Sequence, residues 1–138
     1  MLNLEEKASA LEHTKLFRYA EKSDLIILAE HLQEITFYEG EVIFSQGGTE
    51  NSAYLVLSGR VNIIIDDILM AHYDHGQIFG ELSMLDGSPY TATATAVTKV
   101  NCLKISSEIL FRSFHQTENL AMSIVKSMTK RLKRHLLV

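Results

Sequence analysis

The sequence predicts an α+β protein in which a β-sandwich or jelly roll carries helices at both ends. Short β-prone apolar runs recur at roughly 8–12-residue spacing through the middle of the chain, separated by glycine turns. Apolar residues at helical spacing occupy both ends. A chain of 138 residues is long enough for one core, so we expect 1–138 to be a single domain.

Two helices are expected before the first strand. The segment 8–18 has a helix-forming composition, with Leu11, Leu16 and Phe17 as candidate core residues. A second helix is expected over 24–33, with Ser23 as its N-cap. Its candidate core residues at helical spacing are Leu25, Leu28, Ala29 and Leu32.

The sequence pattern changes to short β-prone runs after Glu34. The expected strands are 36–38, 42–44, 53–57, 61–65, 68–73, 92–96 and 100–105. Glycines at positions 40 and 59 mark turns between them, and Asp66 and Asp67 form a hairpin tip. These runs predict an antiparallel sandwich.

Two helices are expected after the strands. The first covers about 107–115 and starts at Ser106-Ser107-Glu108. Its inward residues are expected to be Leu110, Phe111 and Phe114. The second runs from about 118 to 138, and its apolar stripe comprises Ala121, Ile124, Val125, Met128 and Leu132.

The segment 76–96 is the stretch with the clearest functional pattern. Gly80 stands directly before a short helix-capable run at 81–85, which the sequence DGSP at 86–89 ends. A small, Thr-rich strand follows at 92–96. A helix start of this kind leaves backbone N–H groups without intrahelical partners, which is a pattern typical of anion binding.

The sequences FGELSML at 79–85 and TAT at 91–93 resemble the phosphate-binding cassette of the cyclic nucleotide-binding domain family. That family includes catabolite activator-type regulators, regulatory subunits of cyclic-AMP-dependent protein kinase and cyclic-nucleotide-gated channels. The resemblance covers roughly residues 16–135. It implies an antiparallel β-roll flanked by N-terminal helices and a C-terminal helix pair. It also implies a ligand site at Gly80, Glu81, Leu82, Ser83, Tyr90, Thr91 and Ala92.

The resemblance assigns different roles to these residues. Glu81 would accept a hydrogen bond from the ribose 2′-hydroxyl, and the backbone N–H groups after Gly80 would bind the cyclic phosphate. Glu81 could instead simply cap the helical turn through the helix dipole. Thr91 and Ser83 are candidate phosphate contacts, with strand and helix positions as their structural alternatives.

Tyr90 stands where the family pattern has arginine. A guanidinium makes bidentate, charge-assisted hydrogen bonds to a phosphate, whereas a tyrosine offers one neutral O–H donor. The substitution is expected to weaken cyclic nucleotide binding roughly 10²–10³-fold. Tyr90 could alternatively be an aromatic rim residue that fills an empty pocket, and Arg60, Lys99 or a histidine could supply the cation.

Composition and charge narrow the class of protein. Net charge is −4, but the basic residues Lys126, Lys130, Arg131, Lys133 and Arg134 cluster near the end, which leaves an acidic body. That body argues against nucleic-acid binding by the main domain, and no DNA-binding domain is expected in this chain. The single cysteine, Cys102, and the lack of an apolar run near 18 residues indicate a cytoplasmic protein without a membrane span.

No catalytic or metal-binding pattern is evident. His72 and Asp74 would share one face of a strand while His75 points away, so exposed histidines near a turn are favoured over a metal site. A cupin-type enzyme is the most distant alternative. We therefore expect a non-enzymatic protein that requires no cofactor, with cyclic AMP or cyclic GMP as a possible ligand.

The sequence leaves two functions open. The first is a regulatory sensor module with weakened or altered ligand binding. The second is a ligand-free structural or interaction module that acts through its C-terminal helix.

In the family the last helix often pairs across a dimer, and the spacing 4, 3, 4 along that helix predicts a weak homodimer or a protein partner. The expected seam is Ala121, Val125, Met128 and Leu132.

Overall fold

Eight strands between Gln33 and Ser106 form the central unit of the computed structural model, which describes residues 1–136. The strands are β1 (Gln33–Phe37), β2 (Val42–Phe44), β3 (Ser52–Ser58), β4 (Val61–Ile65), β5 (Ile68–Tyr73), β6 (Ile78–Phe79), β7 (Thr93–Ala96) and β8 (Val100–Ser106). They form two four-stranded antiparallel sheets, ordered β1-β8-β3-β6 and β2-β7-β4-β5. The predicted antiparallel sandwich is confirmed.

The core of this β unit lies between the two sheets. One sheet contributes Tyr54, Val56, Phe79, Val100 and Cys102. The other contributes Ile43, Phe44, Val61, Ala94 and Ala96. Residues two apart in a strand share a face, which is why Tyr54 and Val56, Val100 and Cys102, and Ala94 and Ala96 point inward together.

Turn residues set the strand boundaries. Asp66 and Asp67 have φ values of 49° and 67°, which is the left-handed geometry of a two-residue hairpin and confirms the predicted tip. Gly59 has φ 92°, and a Cβ there would lie 2.2 Å from the carbonyl oxygen of Lys99. Only glycine fits that turn.

Four helices form a second unit, made from residues 1–31 and the chain from Glu108 onward. They are α1 (Leu4–Glu12), α2 (Lys22–Ala29), α4 (Ser107–Gln116) and α5 (Glu118–Leu136), while the short α3 (Glu81–Asp86) belongs to the β unit. The final two residues of the predicted last helix lie outside the described residues. Leu11, Leu16, Phe17, Leu25 and Leu28 are fully buried, as predicted.

Both N-terminal helices differ from their predicted bounds, and α2 covers Lys22–Ala29 where 24–33 was expected. α1 starts at Leu4 rather than residue 8 because Asn3 and Glu6 form a reciprocal capping box. It ends at Glu12, and beyond it the Thr14 hydroxyl donates to the carbonyl of Leu11 and accepts from the N–H of Phe17. Hydrogen bonds between a side chain and nearby backbone groups compete with the backbone hydrogen bonds that would continue the helix.

Two side-chain predictions for the helices were wrong. Ser23 does not cap α2, because the helix begins one residue before it and Glu21 is the N-cap. Asp24 instead accepts a hydrogen bond from the hydroxyl of Thr117 at 2.9 Å. Phe111 was expected inward but is 41% exposed and contacts Phe114 edge to face, whereas Leu110 is buried.

No helix among the described residues is long and apolar enough to span a membrane.

Candidate ligand-binding site

α3 and the two glycines that flank it form the frame of the candidate site. Gly80 has φ 79° and Gly87 has φ 74°, so each end of the helix carries a left-handed residue. A Cβ at Gly80 would lie 2.9 Å from the carbonyl oxygen of Ser52 and 3.2 Å from a ring carbon of Phe44. Gly80 therefore lets the start of α3 pack against β3 and β2.

The structure brings all seven predicted site residues to one cavity of about 140 Å³. The sequence reasoning missed four further lining residues, Phe44, Ile63, Tyr73 and Phe79. All four are strand residues with apolar or aromatic side chains. Phe79 opens the motif at 79–85 and directly precedes Gly80, so the motif itself could have included it. Phe44, Ile63 and Tyr73 look like other core positions in the sequence, and they meet α3 only through the pairing of distant strands.

Two of the predicted site residues lie at the start of α3 and line this cavity. Leu82 and Ser83 are in the first turn, where backbone N–H groups have no acceptor within the helix. Ser83 is buried, whereas the Leu82 side chain is 54% exposed. Thr91 is exposed and Ala92 is buried at the opposite side of the loop. The site thus combines a polar helix start with an apolar inner wall.

Tyr90 points into the core and is only 3% exposed, so it is not the rim residue considered from the sequence. Its ring stacks on Phe44 with centroids 3.7 Å apart and an interplanar angle of 5°. Its hydroxyl donates to the carbonyl oxygen of Ser52 at 2.6 Å and accepts from the N–H of Ser52 at 2.7 Å. The side chain therefore lines the inner wall of the cavity while its polar atom is bonded to β3.

The backbone of Tyr90 is fixed as well. Its N–H donates to the carbonyl of Gly48 at 2.9 Å, and its carbonyl accepts from the N–H of Gly47 at 2.8 Å. Burial raises the pKa of the Tyr90 phenol to about 12. Because this pKa lies above the value of about 10 for an unfolded tyrosine, its contribution to stability is complete below pH ~10 and is lost as the pH rises towards 12.

No lysine, arginine or histidine lines the cavity among the residues that the structure describes. The candidate substitutes for the missing arginine lie elsewhere. Arg60 donates to a carboxylate oxygen of Asp74 at 3.0 Å, and the Lys99 ammonium lies 5.8 Å from the ring centroid of Tyr38. Glu81 is the one charged side chain in the described lining of the cavity.

His72, Asp74 and His75 lie close together in the sequence at the end of β5. His72 and Asp74 approach to 3.9 Å on one strand end, and the His75 ring bonds the carbonyl of Leu57. Within residues 1–136 no group of three side chains could hold a metal ion. Cys102 is fully buried in β8, and burial raises the pKa of its thiol to about 12, which keeps the thiol protonated at neutral pH.

We expect Tyr90→Phe to lower the free energy of unfolding by about 1–3 kcal/mol. The variant keeps the ring stack on Phe44 but leaves the buried N–H of Ser52 without the phenol acceptor. Urea unfolding measures the change. Tyr38→Phe is the matched control, because Tyr38 is 59% exposed, and its change should stay within about 0.5 kcal/mol. Equal changes in the two variants would show that the Ser52 bonds contribute nothing.

A family model described as "Cyclic nucleotide-binding domain" matches residues 34–117. The CRP-like cAMP-activated global transcriptional regulator of Mycobacterium tuberculosis is 26% identical over 129 residues, which cover 90% of this chain and 58% of the regulator. The chain thus spans little more than half the length of that relative.

Two solved structures show the same fold. The N-terminal domain of a transcriptional regulator from Streptomyces coelicolor superposes with a TM-score of 0.84 at 25% identity, covering 91% of this chain and 94% of that one. The regulatory subunit of a cAMP-independent protein kinase A from Trypanosoma cruzi, bound to guanosine, gives a TM-score of 0.71 at 25% identity. That match covers 75% of this chain and 37% of the subunit.

Proposed function

The chain belongs to the cyclic nucleotide-binding domain family, and from this premise we propose that it is a non-catalytic regulatory module that binds a neutral, nucleoside-like ligand and binds cyclic nucleotides only weakly. The observation that carries the proposal is the position of Tyr90. Its hydroxyl is bonded to Ser52, and no described cation lines the cavity. A cyclic phosphate entering this site would meet no cationic side chain of residues 1–136.

Electrostatic repulsion opposes the binding of an anionic ligand in this cavity. A cyclic phosphate carries one negative charge, and Glu81 is the charged side chain of the described lining. Each charge-assisted hydrogen bond to a phosphate contributes about 1.5–3 kcal/mol, so a site without a cation forfeits one to two decades of affinity per bond. The N–H groups at the start of α3 compensate in part through the helix dipole.

A nucleoside avoids this cost because it has no phosphate. Glu81 remains suited to a ribose hydroxyl, since a carboxylate is a strong hydrogen-bond acceptor. The aromatic and apolar inner wall suits the faces of a sugar or a base. The guanosine bound to the similar Trypanosoma cruzi subunit supports a nucleoside as the ligand class. The cavity of about 140 Å³ holds part of such a molecule, since whole drug-sized ligands occupy about 300–1,000 Å³.

Calorimetric titration of the chain with cyclic AMP and cyclic GMP tests the proposal. We expect dissociation constants above about 10 µM for both, because the charge-assisted part of the binding energy is missing. Sub-micromolar binding of either cyclic nucleotide would contradict the proposal.

The buried, unpaired Cys102 supports a cytoplasmic location for such a module.

The exposed apolar residues of α5 favour a second candidate, a module that acts through its last helix. Val125 and Leu132, both in the predicted seam, are 54% and 57% exposed. Ala121 and Met128, the other two seam residues, are half-buried, and Met122 adds a further exposed apolar side chain. Val125 and Leu132 are seven residues apart and share one helix face. This face is what supports a weak homodimer.

We expect the chain to dimerise in the micromolar range and Val125→Glu/Leu132→Glu to abolish association. Two added carboxylates per helix would face each other across the seam, and both sites are exposed, so the monomer should still fold. Sedimentation equilibrium measures the association. Leu4→Glu/Phe111→Glu adds the same charge at exposed apolar sites on other helices and should leave it unchanged. A wild type that stays monomeric at high concentration would refute the seam.

A further inference from the structure

The helical unit contains a groove of about 320 Å³ that is separate from the cavity at α3. Six cationic side chains line it, and we refer to it as the basic groove. The six are Lys15, Arg18, Lys130, Arg131, Lys133 and Arg134. No aspartate or glutamate among the described residues lines it.

Two distant segments of the chain build the basic groove. Lys130, Arg131 and Arg134 share one face of α5 because they are spaced by three and four residues. Lys15 and Arg18 come from the connection between α1 and α2. The buried hydroxyl of Ser127 donates to the carbonyl of Lys15 at 2.7 Å, which fastens this connection to α5. This hydrogen bond fixes the position of one wall of the groove relative to the other.

Four of the six cations of the basic groove carry charges that no ion pair within the described chain neutralises. Lys15, Arg18, Lys133 and Arg134 make no ion pair with any residue from 1 to 136. Lys130 places its ammonium 5.7 Å from the ring centroid of Tyr19, and Lys126 places its own 5.0 Å from the same centroid. These aromatic contacts orient the lysines without removing their charge.

A basic helix end alone does not account for this arrangement. Cations at the C-terminus of α5 are favourable through the helix dipole. That effect does not extend to Lys15 and Arg18, which belong to another segment and whose charges add to those of α5. Gathering the four cations Lys15, Arg18, Lys133 and Arg134, which have no ion pair within residues 1–136, around one volume is unfavourable unless an anion offsets the repulsion.

We propose that the basic groove binds a compact polyphosphate group, supplied either by a small soluble molecule or by a phosphorylated lipid headgroup. Arginine forks and lysine ammonium groups are the side chains that bind phosphate oxygens. The volume of about 320 Å³ lies at the lower end of the range for small-molecule sites, which suits two or three phosphates and does not suit a long polymer. Several anionic groups on one ligand match the several cations of the groove.

Calorimetric titration of the chain with inorganic triphosphate tests this inference. We expect one saturable site per chain whose affinity falls as salt is raised. Lys15→Gln/Lys130→Gln should weaken binding by about tenfold or more, because it removes a cation from each wall. Lys22→Gln/Arg112→Gln is the matched control, since it removes two exposed cations of the same helical unit outside the groove. The control should change affinity less than threefold, and circular dichroism should show both variants folded.

Vesicle sedimentation distinguishes the two sources of phosphate. Preferential binding to phosphatidylcholine vesicles that contain a phosphatidylinositol bisphosphate, relative to phosphatidylserine vesicles of equal charge, would support a lipid source. Binding of triphosphate without any vesicle binding would support a soluble source. The proposal is overturned if triphosphate and both vesicles fail to bind, if the two double variants lose affinity equally, or if a single-stranded oligonucleotide binds more tightly than triphosphate.

Discussion

Tyr90→Arg is expected to raise the affinity for cyclic AMP and cyclic GMP by about one to two decades. The new guanidinium would give the cavity the cation that its described lining lacks. Two parallel N–H donors would then meet the cyclic phosphate, and charge-assisted bonds of this kind are about twice as strong as neutral ones. Calorimetry with both cyclic nucleotides measures the gain.

The gain should be smaller than the full 10²–10³-fold expected for an arginine at this position. The new guanidinium would place a charge where Tyr90 is 3% exposed, and the Ser52 bonds of the phenol are lost. Tyr90→Leu is the control, because it removes the same bonds without adding charge. It should leave cyclic nucleotide affinity unchanged within about threefold. A folded Tyr90→Arg variant with wild-type affinity would show that Tyr90 is not what weakens the site.

Gly80→Ala is expected to destabilise the protein by about 2–5 kcal/mol. About 1–2 kcal/mol comes from placing a side chain at a left-handed residue, since φ is 79°. A further contribution of about 1–3 kcal/mol comes from overpacking, because the new methyl would lie 2.9 Å from the Ser52 carbonyl oxygen. Ser52 cannot easily move away, since both of its backbone polar groups are bonded to the Tyr90 hydroxyl.

Gly87→Ala provides a matched control at the other end of α3. Its φ is 74°, but the new methyl group would have no described neighbour within 4 Å outside its own stretch of chain, so only the backbone cost of about 1–2 kcal/mol applies. Urea unfolding of the two variants therefore isolates the packing contribution at Gly80. A loss at Gly80 no larger than that at Gly87 would contradict the close approach of α3 to β3.

Local patterns were sufficient to predict the frame of the site. Gly80, the helical run after it and the turn before Tyr90 are all set by residues close together in sequence, and the structure places them as expected. The hairpin tip at Asp66-Asp67 was predictable for the same reason. The resemblance to a known cassette added the grouping of Tyr90 and Thr91 with Glu81.

Tertiary contacts explain what the sequence did not predict. The direction of the Tyr90 side chain depends on Phe44 and on the backbone of Ser52, which lie about 40 residues away in the chain. The exposed side of α4, which includes Phe111, depends on which helices pack beside it. The Asn3–Glu6 capping box, by contrast, was visible in the sequence and would have placed the start of α1 correctly.

The most direct measurement of the central claim is the ratio of two dissociation constants for the wild-type chain, that of cyclic GMP to that of guanosine. The two ligands share base and ribose ring and differ by the charged cyclic phosphate, so the ratio reports what the phosphate contributes to binding. We predict that guanosine binds at least as tightly as cyclic GMP, and that Glu81→Gln weakens guanosine binding. Cyclic GMP binding ten or more times tighter than guanosine would contradict the account, because the cavity would then hold a phosphate without an arginine at position 90.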